Sequence, residues 1–547
     1  MIGTLASVLP GSLAADGPDI PAADLDYGQL SPLIAIAAVA MIGLVVEVVA
    51  PRRVRFVAQT VVAVLGSIIT LGLTVWVYLG LEEVPEGRWA ALGSVGGEGA
   101  VAVDGPGVLT WAMLLVFGIL SFLMFAERSH EGGLSDFTGR AADAPGSPGE
   151  TEATTARLEH TEVFPLAVFA LGGMMLFAVS NDLITMFVAL EVLSLPLYVL
   201  CGVARRRRLL SQEAAMKYFL LGAFSSAFFL YGAALAYGYS GSLNLTEINT
   251  AVSARGDETA ILLAAIGLLL VGLLFKVGAV PFHSWTPDVY QGAPTPVTAF
   301  MAAATKAAAF IAMMRVLFVA FGGASWDWRP VLWVVAVLTM IVGSVVAISQ
   351  TDVKRMLAYS SIAHAGFLTV GLSGAYLGDQ EGLSITSVSS VLFYLLAYGV
   401  ATIGAFAIVT VVRDSAGETT HLSKWAGLGK ESPFLAGSFA VFMLSFAGIP
   451  LTAGFIGKWA VFSAAWGGGA WLLVVIGVLC SAVAAYFYVR VIVLMFFTDP
   501  VGDGPTVAVA GVTTTVVIAL AVITTVVLGL LPGPMLDLAQ NAGAFVR

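Results

Sequence analysis

The stretch TAILLAAIGLLLVGLLFKVGAVPFHSWT, residues 259–286, indicates the fold class of this chain. It is apolar except near its end, where Lys276 precedes Gly278 and Pro281, two residues of the types that interrupt helices. A helix of about 20 residues already crosses the hydrocarbon core of a bilayer, so this stretch is too long for one straight crossing. It is typical of a transmembrane helix that is broken near its middle.

A second long apolar segment, residues 433–465, has the same character and would reach about 50 Å if it were fully helical. Its middle contains the helix breakers Gly448, Pro450 and Gly454. Interrupted helices at corresponding positions in two halves of a chain point to a transport path at the interface between repeats. We therefore expect two five-helix repeats, 163–321 and 330–497, each with one broken helix.

The composition of the whole chain predicts a membrane protein. Of its 547 residues, 59% are hydrophobic and only 11% are charged, whereas soluble domains contain about 25% charged residues. The apolar runs are longer than the strands of a membrane β-barrel and do not alternate. Because backbone polar groups in lipid must be satisfied within each segment, we expect an all-α polytopic fold.

Fourteen segments are long and apolar enough to be transmembrane helices. They begin near residues 30, 56, 108, 163, 183, 213, 259, 295, 330, 356, 386, 433, 470 and 507. Three of them fall within 30–126, before the first repeat, and the last covers 507–531. Residues 127–162 are rich in Gly, Ala, Pro and acidic residues and predict a flexible cytoplasmic loop. Residues 1–29 lack the basic region of a signal peptide and predict an extracytoplasmic stretch.

Basic residues predict which loops face the cytoplasm, because short cytoplasmic loops collect Lys and Arg. Three basic clusters, at 52–55, 205–208 and 354–355, follow the first, fifth and ninth predicted helices and therefore lie on one side. The opposite loops carry the acidic residues Glu82, Glu83, Glu86, Asp257, Glu258, Asp379 and Glu381. With fourteen helices, this pattern predicts that both termini are extracytoplasmic.

Five charged residues lie within the predicted helices: Glu191, Lys217, Lys276, Lys306 and Lys458. A charge at the bilayer centre costs roughly 2.5–3.5 kcal/mol, so together these would cost on the order of 10 kcal/mol in lipid. We expect them to face one another or a hydrated interior. Buried lysine can release its proton, whereas arginine stays charged, so lysines in this pattern point to proton transfer. In this hypothesis Lys276 keeps its proton while Glu191 lies beside it, and movement of Glu191 away, or approach of Lys217 to Glu191, favours release of the proton toward Lys306.

A purely structural role is the alternative for these charges. They would then form ion pairs between helices, or extend long side chains to the membrane interface. This alternative applies most directly to Lys217, near the start of its helix, and to Lys458, beyond a helix break. For Glu47, Arg315 and Arg490, which lie nearer helix ends, the structural interpretation is favoured.

Two histidines in or near membrane segments are further candidates. His283 lies beside Pro281, and His364 lies in AYSSIAHAGF, residues 358–367. Either can carry a proton near neutral pH, or make only a structural hydrogen bond. No pair of histidines has the spacing of metal ligands, and the two cysteines, Cys201 and Cys480, are isolated, so we expect no metal site or disulfide framework.

Other classes of ligand are not predicted by the sequence. It contains neither GxxxxGK[ST] nor a GxGxxG that follows a strand, so we expect no nucleotide site. The net charge of −10 argues against nucleic acid as a partner. Proton movement therefore has to be driven by a partner chain or by another ion gradient.

Several of these motifs together resemble the subunit N family of NADH:quinone oxidoreductase, the proton-pumping respiratory complex I. The stretch FKVGAVPFHSWTPDVYQGAPTPVTAF, residues 275–300, is similar to the broken-helix signature of that family, and its VYQGAP ending is the discriminating part. Further similar stretches are LEVLSLPLYVL around Glu191, EAAMKYFLLGAFSSAF around Lys217, QTDVKRMLAYSSIAHAGF from Gln350, and FAGIPLTAGFIGKW near Lys458. The resemblance covers residues 163–497.

The resemblance implies a fourteen-helix, antiporter-like subunit with two inverted five-helix repeats in the membrane arm of the complex. Its neighbours would be the sister subunits L and M, the small helical subunits J and K, and lipid of the bacterial plasma membrane. NADH, FMN, iron–sulfur clusters and quinone would belong to partner subunits, with no cofactor in this chain. Glu191 would be the coupling glutamate, and Lys276, Lys306 and Lys458 the broken-helix, connecting and exit-side lysines. Lys217 would match a further basic position.

Three other functions stay open. A cation/proton antiporter subunit would use the same polar axis without redox partners, although the VYQGAP ending argues against it. A membrane subunit of a hydrogenase-like complex could keep every lysine. In a scaffold, the charges would only brace helices and assemble a complex.

Overall fold

The computed structural model describes residues 25–86, 89–96, 99–128, 135–138, 147–156, 158–204, 208–255, 260–374, 385–414, 417–500, 504–508 and 510–546. Residues 1–24, parts of the predicted loop 127–162, and the charged positions 205–207, 257, 258, 379 and 381 lie outside these ranges. The predicted orientation rests partly on those charges and stays a prediction.

The described N-terminal part contains three long helices and a small sheet. Its elements are α1 (Ser31–Val49), α2 (Arg52–Leu79), β1 (Glu83–Glu86), β2 (Trp89–Gly96), β3 (Val101–Asp104) and α3 (Gly105–Phe125). The strands are antiparallel in the order β1-β2-β3. Asp104 is the N-cap of α3, where its carboxylate accepts the backbone N–H of Gly107. This sheet was not predicted from the sequence.

The first predicted repeat folds into a group of helices preceded by a short one. They are α4 (Pro148–Thr155), α5 (Val163–Val179), α6 (Leu183–Cys201), α7 (Arg208–Ser240), α8 (Leu245–Arg255), α9 (Ala260–Val277), α10 (Trp285–Gly292), α11 (Thr295–Phe300) and α12 (Lys306–Arg315). π-helical turns at Met301–Thr305 and Val316–Ala320 extend α11 and α12 into one helical segment, Thr295–Ala320, that is buried throughout.

The remaining elements cover the second predicted repeat and the C-terminus. They are α13 (Ser325–Ile348), α14 (Val353–Ser373), α15 (Ser387–Val411), β4 (Val412–Asp414), β5 (Gly417–Glu418), α16 (Leu428–Glu431), α17 (Pro433–Ala447), α18 (Ala453–Gly467), α19 (Trp471–Phe497), β6 (Thr506–Val507), α20 (Val512–Leu530) and α21 (Gly533–Asn541). The strands β4, β5 and β6 form a second small sheet with β4 in the middle. Short 3-10 turns occupy Gly322–Ala324 and Leu422–Trp425.

Both breaks lie where glycine and proline occur in the sequence. α9 ends at Val277, and Gly278 follows with φ +75°; α17 ends at Ala447, and Gly448 follows with φ +80°. Glycine adopts this left-handed conformation without the steric cost that a Cβ atom brings. The chain becomes helical again at α10 after the first break and at α18 after the second, so neither long apolar segment is one continuous helix.

The helices form a bundle with a buried centre and an apolar surface. The segment Thr295–Ala320, α14 and α15 are almost wholly buried, whereas α1, α2, α19 and α20 expose most of their residues. Large apolar side chains such as Val48, Trp76 and Phe497 are exposed on these outer helices. A surface this apolar fits lipid rather than water.

The all-α polytopic fold is confirmed. Twelve described helices are long and apolar enough to cross a membrane, and α5 and α17 are shorter apolar helices. Together they match the fourteen predicted segments in order. The exact count of crossings, the domain boundaries and the inverted relation of the repeats stay predictions.

Candidate functional site: buried lysines at the helix breaks

Lys276 lies in the last turn of α9, immediately before the first break, and is buried. Its Nζ donates hydrogen bonds to Ser194 Oγ of α6, at 2.7 Å, and to Tyr218 OH of α7, at 3.3 Å. The same nitrogen lies 5.9 Å and 5.3 Å from the ring centroids of Tyr198 and Tyr218, within cation–π range. Lys276 of α9 is therefore held by α6 and α7 through hydroxyl groups and aromatic rings.

Glu191 lies on α6 three residues before Ser194, and residues at this spacing share one face of a helix. Its Oε1 is buried and has no hydrogen-bond partner among the described residues. The predicted pairing of Glu191 with Lys276 is not a direct contact, because the described part of the chain contains no ion pair of Lys276 within 4.0 Å. The coupling role of Glu191 stays a prediction.

Lys306 lies in the central buried segment, where the π-helical turn Met301–Thr305 meets α12. Its Nζ donates to both the carbonyl oxygen and the Oγ of Ser361 on α14, each at 2.5 Å. The centroid of the Tyr398 ring, on α15, is 5.0 Å from this nitrogen. The ammonium group is therefore enclosed between α14 and α15.

His364 continues the same polar region on α14. Its Nδ1 lies 2.6 Å from Tyr394 OH, and its Nε2 lies 3.2 Å from Tyr488 OH, which in turn is 2.5 Å from Ser360 Oγ. The Tyr398 ring that covers Lys306 is also 4.7 Å from the His364 ring, centroid to centroid. Tyr398 thus contacts both Lys306 and His364.

Lys458 lies on α18, just after the second break. Its Nζ donates to the carbonyl oxygens of Phe446 and Ala447, at 2.8 and 3.0 Å, and to Ser481 Oγ of α19, at 2.7 Å. These carbonyls end α17, and the C-terminal end of a helix carries partial negative charge that stabilises a cation. Phe446 thus contacts both groups, because its side chain packs against His364, with centroids 5.5 Å apart, and its carbonyl accepts from Lys458.

The hydrogen-bond partners of the three buried lysines are alike. Each ammonium nitrogen is bonded to hydroxyl or carbonyl oxygens, and no carboxylate of the described residues lies within 4.0 Å of any of them. Burying a charge without a counter-charge is costly, so such groups are rarely retained for stability alone. The arrangement favours groups that change their protonation state.

Lys217 lies in different surroundings, with 41% of its side chain exposed. Its Nζ is 2.7 Å from Asp288 Oδ2 of α10 and 2.6 Å from Glu213, one turn earlier on α7. Asp288 also accepts a bond from Arg355 of α14 at 2.7 Å. The structure therefore places Lys217 in a charged network, unlike the three buried lysines, and its role in proton transfer stays a prediction.

His283 lies in the segment between α9 and α10, where it is half-buried. Its Nδ1 has no hydrogen-bond partner within the described ranges. It lies at the break that Lys276 precedes, yet no described contact links it to that lysine. Its function as a proton carrier stays a prediction.

The charges near helix ends have structural partners. Arg315 and Asp104, both without solvent exposure, form a two-pronged ion pair at 2.9 and 2.7 Å. Glu47 pairs with Arg55 at 2.9 Å, and Arg490 donates to the carbonyl of Ile348. These contacts agree with the structural interpretation of Glu47, Arg315 and Arg490, which stays a prediction.

Known proteins of one family are similar to this chain. The family described as NADH:quinone oxidoreductase/Mrp antiporter, transmembrane, matches residues 180–485. NADH-quinone oxidoreductase subunit N of Nocardioides is 57% identical over 531 residues, which are 96% of this chain and 99% of the relative. The chain belongs to the NADH-quinone oxidoreductase subunit N family.

Solved structures agree with this family. A chain of respiratory complex I from Thermus thermophilus, with bound aureothin, is 33% identical and superposes with a TM-score of 0.72 over 93% of this chain and 99% of that one. A chain of the Mrp complex from Dietzia has a TM-score of 0.73 over 95% and 97%, at 19% identity, and so shares the fold alone. The region that matches the family description contains all seven predicted site residues of this subunit N chain.

Several residues around the lysines of this subunit N chain were missed by sequence reasoning. They are the hydroxyl-bearing residues Ser194, Tyr218, Tyr394, Tyr398, Ser481 and Tyr488. The spacing of Tyr394 and Tyr398, four residues apart, places both on one face of α15 and was an available signal. Asp288 was also missed, although it lies within the quoted broken-helix stretch, residues 275–300.

No group of three or more metal-ligating side chains occurs in the ranges that the structure describes. Cys201 and Cys480 are both free and buried there. The expectation that this subunit N chain holds no metal or other cofactor stays a prediction.

Proposed function

We propose that this chain is a proton-translocating membrane-arm subunit of an NADH-quinone oxidoreductase. The observation that carries the proposal is that the ammonium groups of Lys276, Lys306 and Lys458 are all buried and bonded to neutral oxygen atoms. Its relatives are named as subunits of an enzyme that oxidises NADH and reduces a quinone. NADH, FMN, iron–sulfur clusters and quinone belong to other subunits in this proposal, and this chain only moves protons.

The hydroxyl groups around Lys276 support both of its protonation states. A hydroxyl oxygen accepts a hydrogen bond from an ammonium group, and its O–H donates one to a neutral amine. Ser194 and Tyr218 can therefore hold the Lys276 nitrogen in place before and after it releases a proton. Only the proton has to move, while the side chain stays where it is.

His364 and its two tyrosine partners provide the next step. Both ring nitrogens of His364 contact a hydroxyl group, Tyr394 on one side and Tyr488 on the other. Tyrosine hydroxyls donate and accept, and histidine changes charge near neutral pH, so a proton can enter at one nitrogen and leave at the other. In the proposed order the proton passes from Lys276 to Lys306, His364 and Lys458.

Glu191 is the proposed point of control. A carboxylate that approaches Lys276 stabilises the ammonium form, and a carboxylate that withdraws favours proton release. Glu191 lies one helical turn from Ser194, which holds Lys276, so a small rotation of α6 would change that distance. Quinone reduction in other subunits would drive this change through the neighbouring membrane subunits.

The proposed surroundings follow from the same function. The apolar outer helices α1, α2, α19 and α20 face lipid of the bacterial plasma membrane or neighbouring subunits. We place the sister subunits L and M and the small subunits J and K beside this chain. Both termini are extracytoplasmic in this arrangement, so protons leave on the side of the termini.

The test begins with a tagged chain that is extracted from its native membrane in mild detergent. Inhibitor-sensitive NADH:quinone oxidoreductase activity is expected to co-purify with the tag. The preparation is then reconstituted into liposomes, and proton uptake per NADH oxidised is compared between the wild-type chain and the Lys306→Met variant. We expect a lower ratio for Lys306→Met, because its thioether holds no transferable proton.

Two results would contradict the proposal. An intact preparation without NADH:quinone activity would favour a cation/proton antiporter or a hydrogenase-like complex, and exchange of Na⁺ for H⁺ would distinguish the antiporter. If proton uptake per NADH is the same for Lys306→Met as for the wild-type chain, protons do not pass through Lys306.

A further inference from the structure

An open groove lies between α18 and α19, with Lys458 at its inner end. Its volume is about 570 Å³, and pockets for small ligands measure about 300–1,000 Å³. Its walls include Trp459, Phe462, Trp466 and Val478. Trp459, Trp466 and Val478 are exposed, so the groove opens on the outer surface of the helix bundle.

The inner end of the groove is polar and cationic. Lys458 and Ser481 line it, together with the backbone of the break at 447–449. Lys458 Nζ is bonded to two carbonyl oxygens and to Ser481 Oγ, and no carboxylate of the described chain lies within 4.0 Å of it. The groove thus joins an apolar wall to an ammonium group that lacks a counter-charge.

We propose that this groove binds a long-chain fatty acid, with its carboxylate at Lys458 and its hydrocarbon chain along the tryptophan wall. One carboxylate oxygen would take the N–H that Lys458 now donates to Ser481, and the other would accept the Ser481 hydroxyl. The hydrocarbon chain would cover the apolar wall. A phospholipid fits less well, because its head group stays at the membrane surface whereas Lys458 lies beside a break within the crossing.

Binding would have a consequence for proton release. A carboxylate at Lys458 stabilises the ammonium form and so keeps the proton on the lysine. A bound fatty acid would therefore slow proton release from Lys458, the last lysine in the proposed order. This consequence rests on the proposed function, whereas the binding site does not.

The test uses a palmitic acid analogue with a diazirine in the middle of its chain, added to the purified membrane preparation that contains the full chain. Light-induced labelling, mapped by mass spectrometry, is expected on peptides of α18 and α19 and is expected to be displaced by palmitate. Ala482, which lines the groove, and Val483, which does not, are exposed neighbours on α19. Ala482→Trp fills the groove and should lower labelling about tenfold, whereas Val483→Trp should leave it unchanged.

A second probe tests the role of charge. A fatty alcohol with the same diazirine chain should label the groove about tenfold less than the acid, because it offers no counter-charge to Lys458. Equal labelling by alcohol and acid, labelling that Ala482→Trp does not reduce, or no labelling of α18 and α19 would each overturn the proposal. If the acid labels the groove but proton uptake per NADH is unchanged, the binding site stands and the place of Lys458 in the proton path is refuted.

Discussion

At the residue scale, the lysines fall into two groups that sequence position alone does not separate. Lys276, Lys306 and Lys458 are buried and bonded to neutral oxygens, whereas Lys217 is half-exposed and paired with Asp288 and Glu213. A carboxylate partner stabilises the charged form of a lysine, and its absence makes proton release less costly. This difference supports the proposal that the first group carries protons, whereas the role of Lys217 stays a prediction.

Substitution of Lys276 tests this distinction. Lys276→Met removes the transferable proton and should slow proton transfer through this chain by roughly 100-fold, so that proton uptake per NADH falls by the share that this chain contributes. Lys276→Arg should fail to restore it, because guanidinium keeps its proton. Lys430→Met is the control, since Lys430 is an exposed lysine paired with Asp499. Proton uptake by reconstituted preparations is the measurement, and rescue by arginine would contradict a relay.

The tyrosine hydroxyls on both sides of His364 give a second test. Tyr488→Phe removes the partner of both Ser360 and His364, and should slow proton transfer about tenfold, as expected for the loss of a buried hydrogen bond. Tyr486→Phe, on the exposed side of the same helix, should have no effect. The initial rate of NADH-driven proton uptake distinguishes the two variants. Equal rates for Tyr488→Phe and Tyr486→Phe would show that the Tyr488 hydroxyl is not part of the proton path.

At the scale of single elements, the broken helices were predictable and their surroundings were not. Gly278 and Gly448 interrupt apolar runs, and a break is a local property of the chain. The contact of Lys276 with Ser194 joins residues 82 positions apart and depends on how α6, α7 and α9 pack. No periodicity in the sequence determines that packing, so the absence of a direct Glu191 contact could not be predicted.

The small sheets were missed for a different reason. β1 and β3 have four residues each, and β2 has eight. A strand of four residues gives only two periods of alternation, and the eight residues of β2, WAALGSVG, do not alternate between apolar and polar, so neither is distinguished from a loop. In the sequence, β1-β2-β3 lies between the strongly apolar helices α2 and α3. Their composition is the strongest structural signal in this region.

The close approach of α17 and α18 beyond the second break can be tested with a matched pair of glycines. A Cβ atom at Gly454 would lie 1.8 Å from the Ser445 carbonyl oxygen, whereas none of the described atoms lies within 4 Å of one at Gly437. Gly454→Ala should therefore destabilise the fold by about 1–3 kcal/mol through overpacking. Gly437→Ala should be neutral or stabilising, by up to about 1 kcal/mol, because alanine favours helix. Thermal unfolding of the two purified variants is the measurement, and equal transition temperatures would contradict this packing.

At the scale of the whole molecule, the buried pair Asp104–Arg315 connects distant parts of the chain. Asp104 ends β3 and caps α3, Arg315 ends α12, and the Arg315 Nε donates to the carbonyl of Ala178 on α5. Asp104 also accepts the backbone N–H of Val546, close to the C-terminus. One ion pair thus fixes the N-terminal sheet, the central helix that carries Lys306, and the C-terminal residues.

Breaking this pair should have a large effect on assembly and little specific effect on proton transfer. Arg315→Met leaves the Asp104 carboxylate buried without its partner, which typically costs about 3–5 kcal/mol. Arg490→Met is the matched control, because Arg490 is exposed and bonds only to the Ile348 carbonyl among the described residues. We expect Arg315→Met to lower the amount of assembled complex and its unfolding temperature, while the remaining complex keeps its proton uptake per NADH. If Arg315→Met had normal stability but lower proton uptake per NADH, Arg315 would instead belong to the proton path. A residue that only stabilises the fold cannot lower proton uptake per NADH in molecules that have folded.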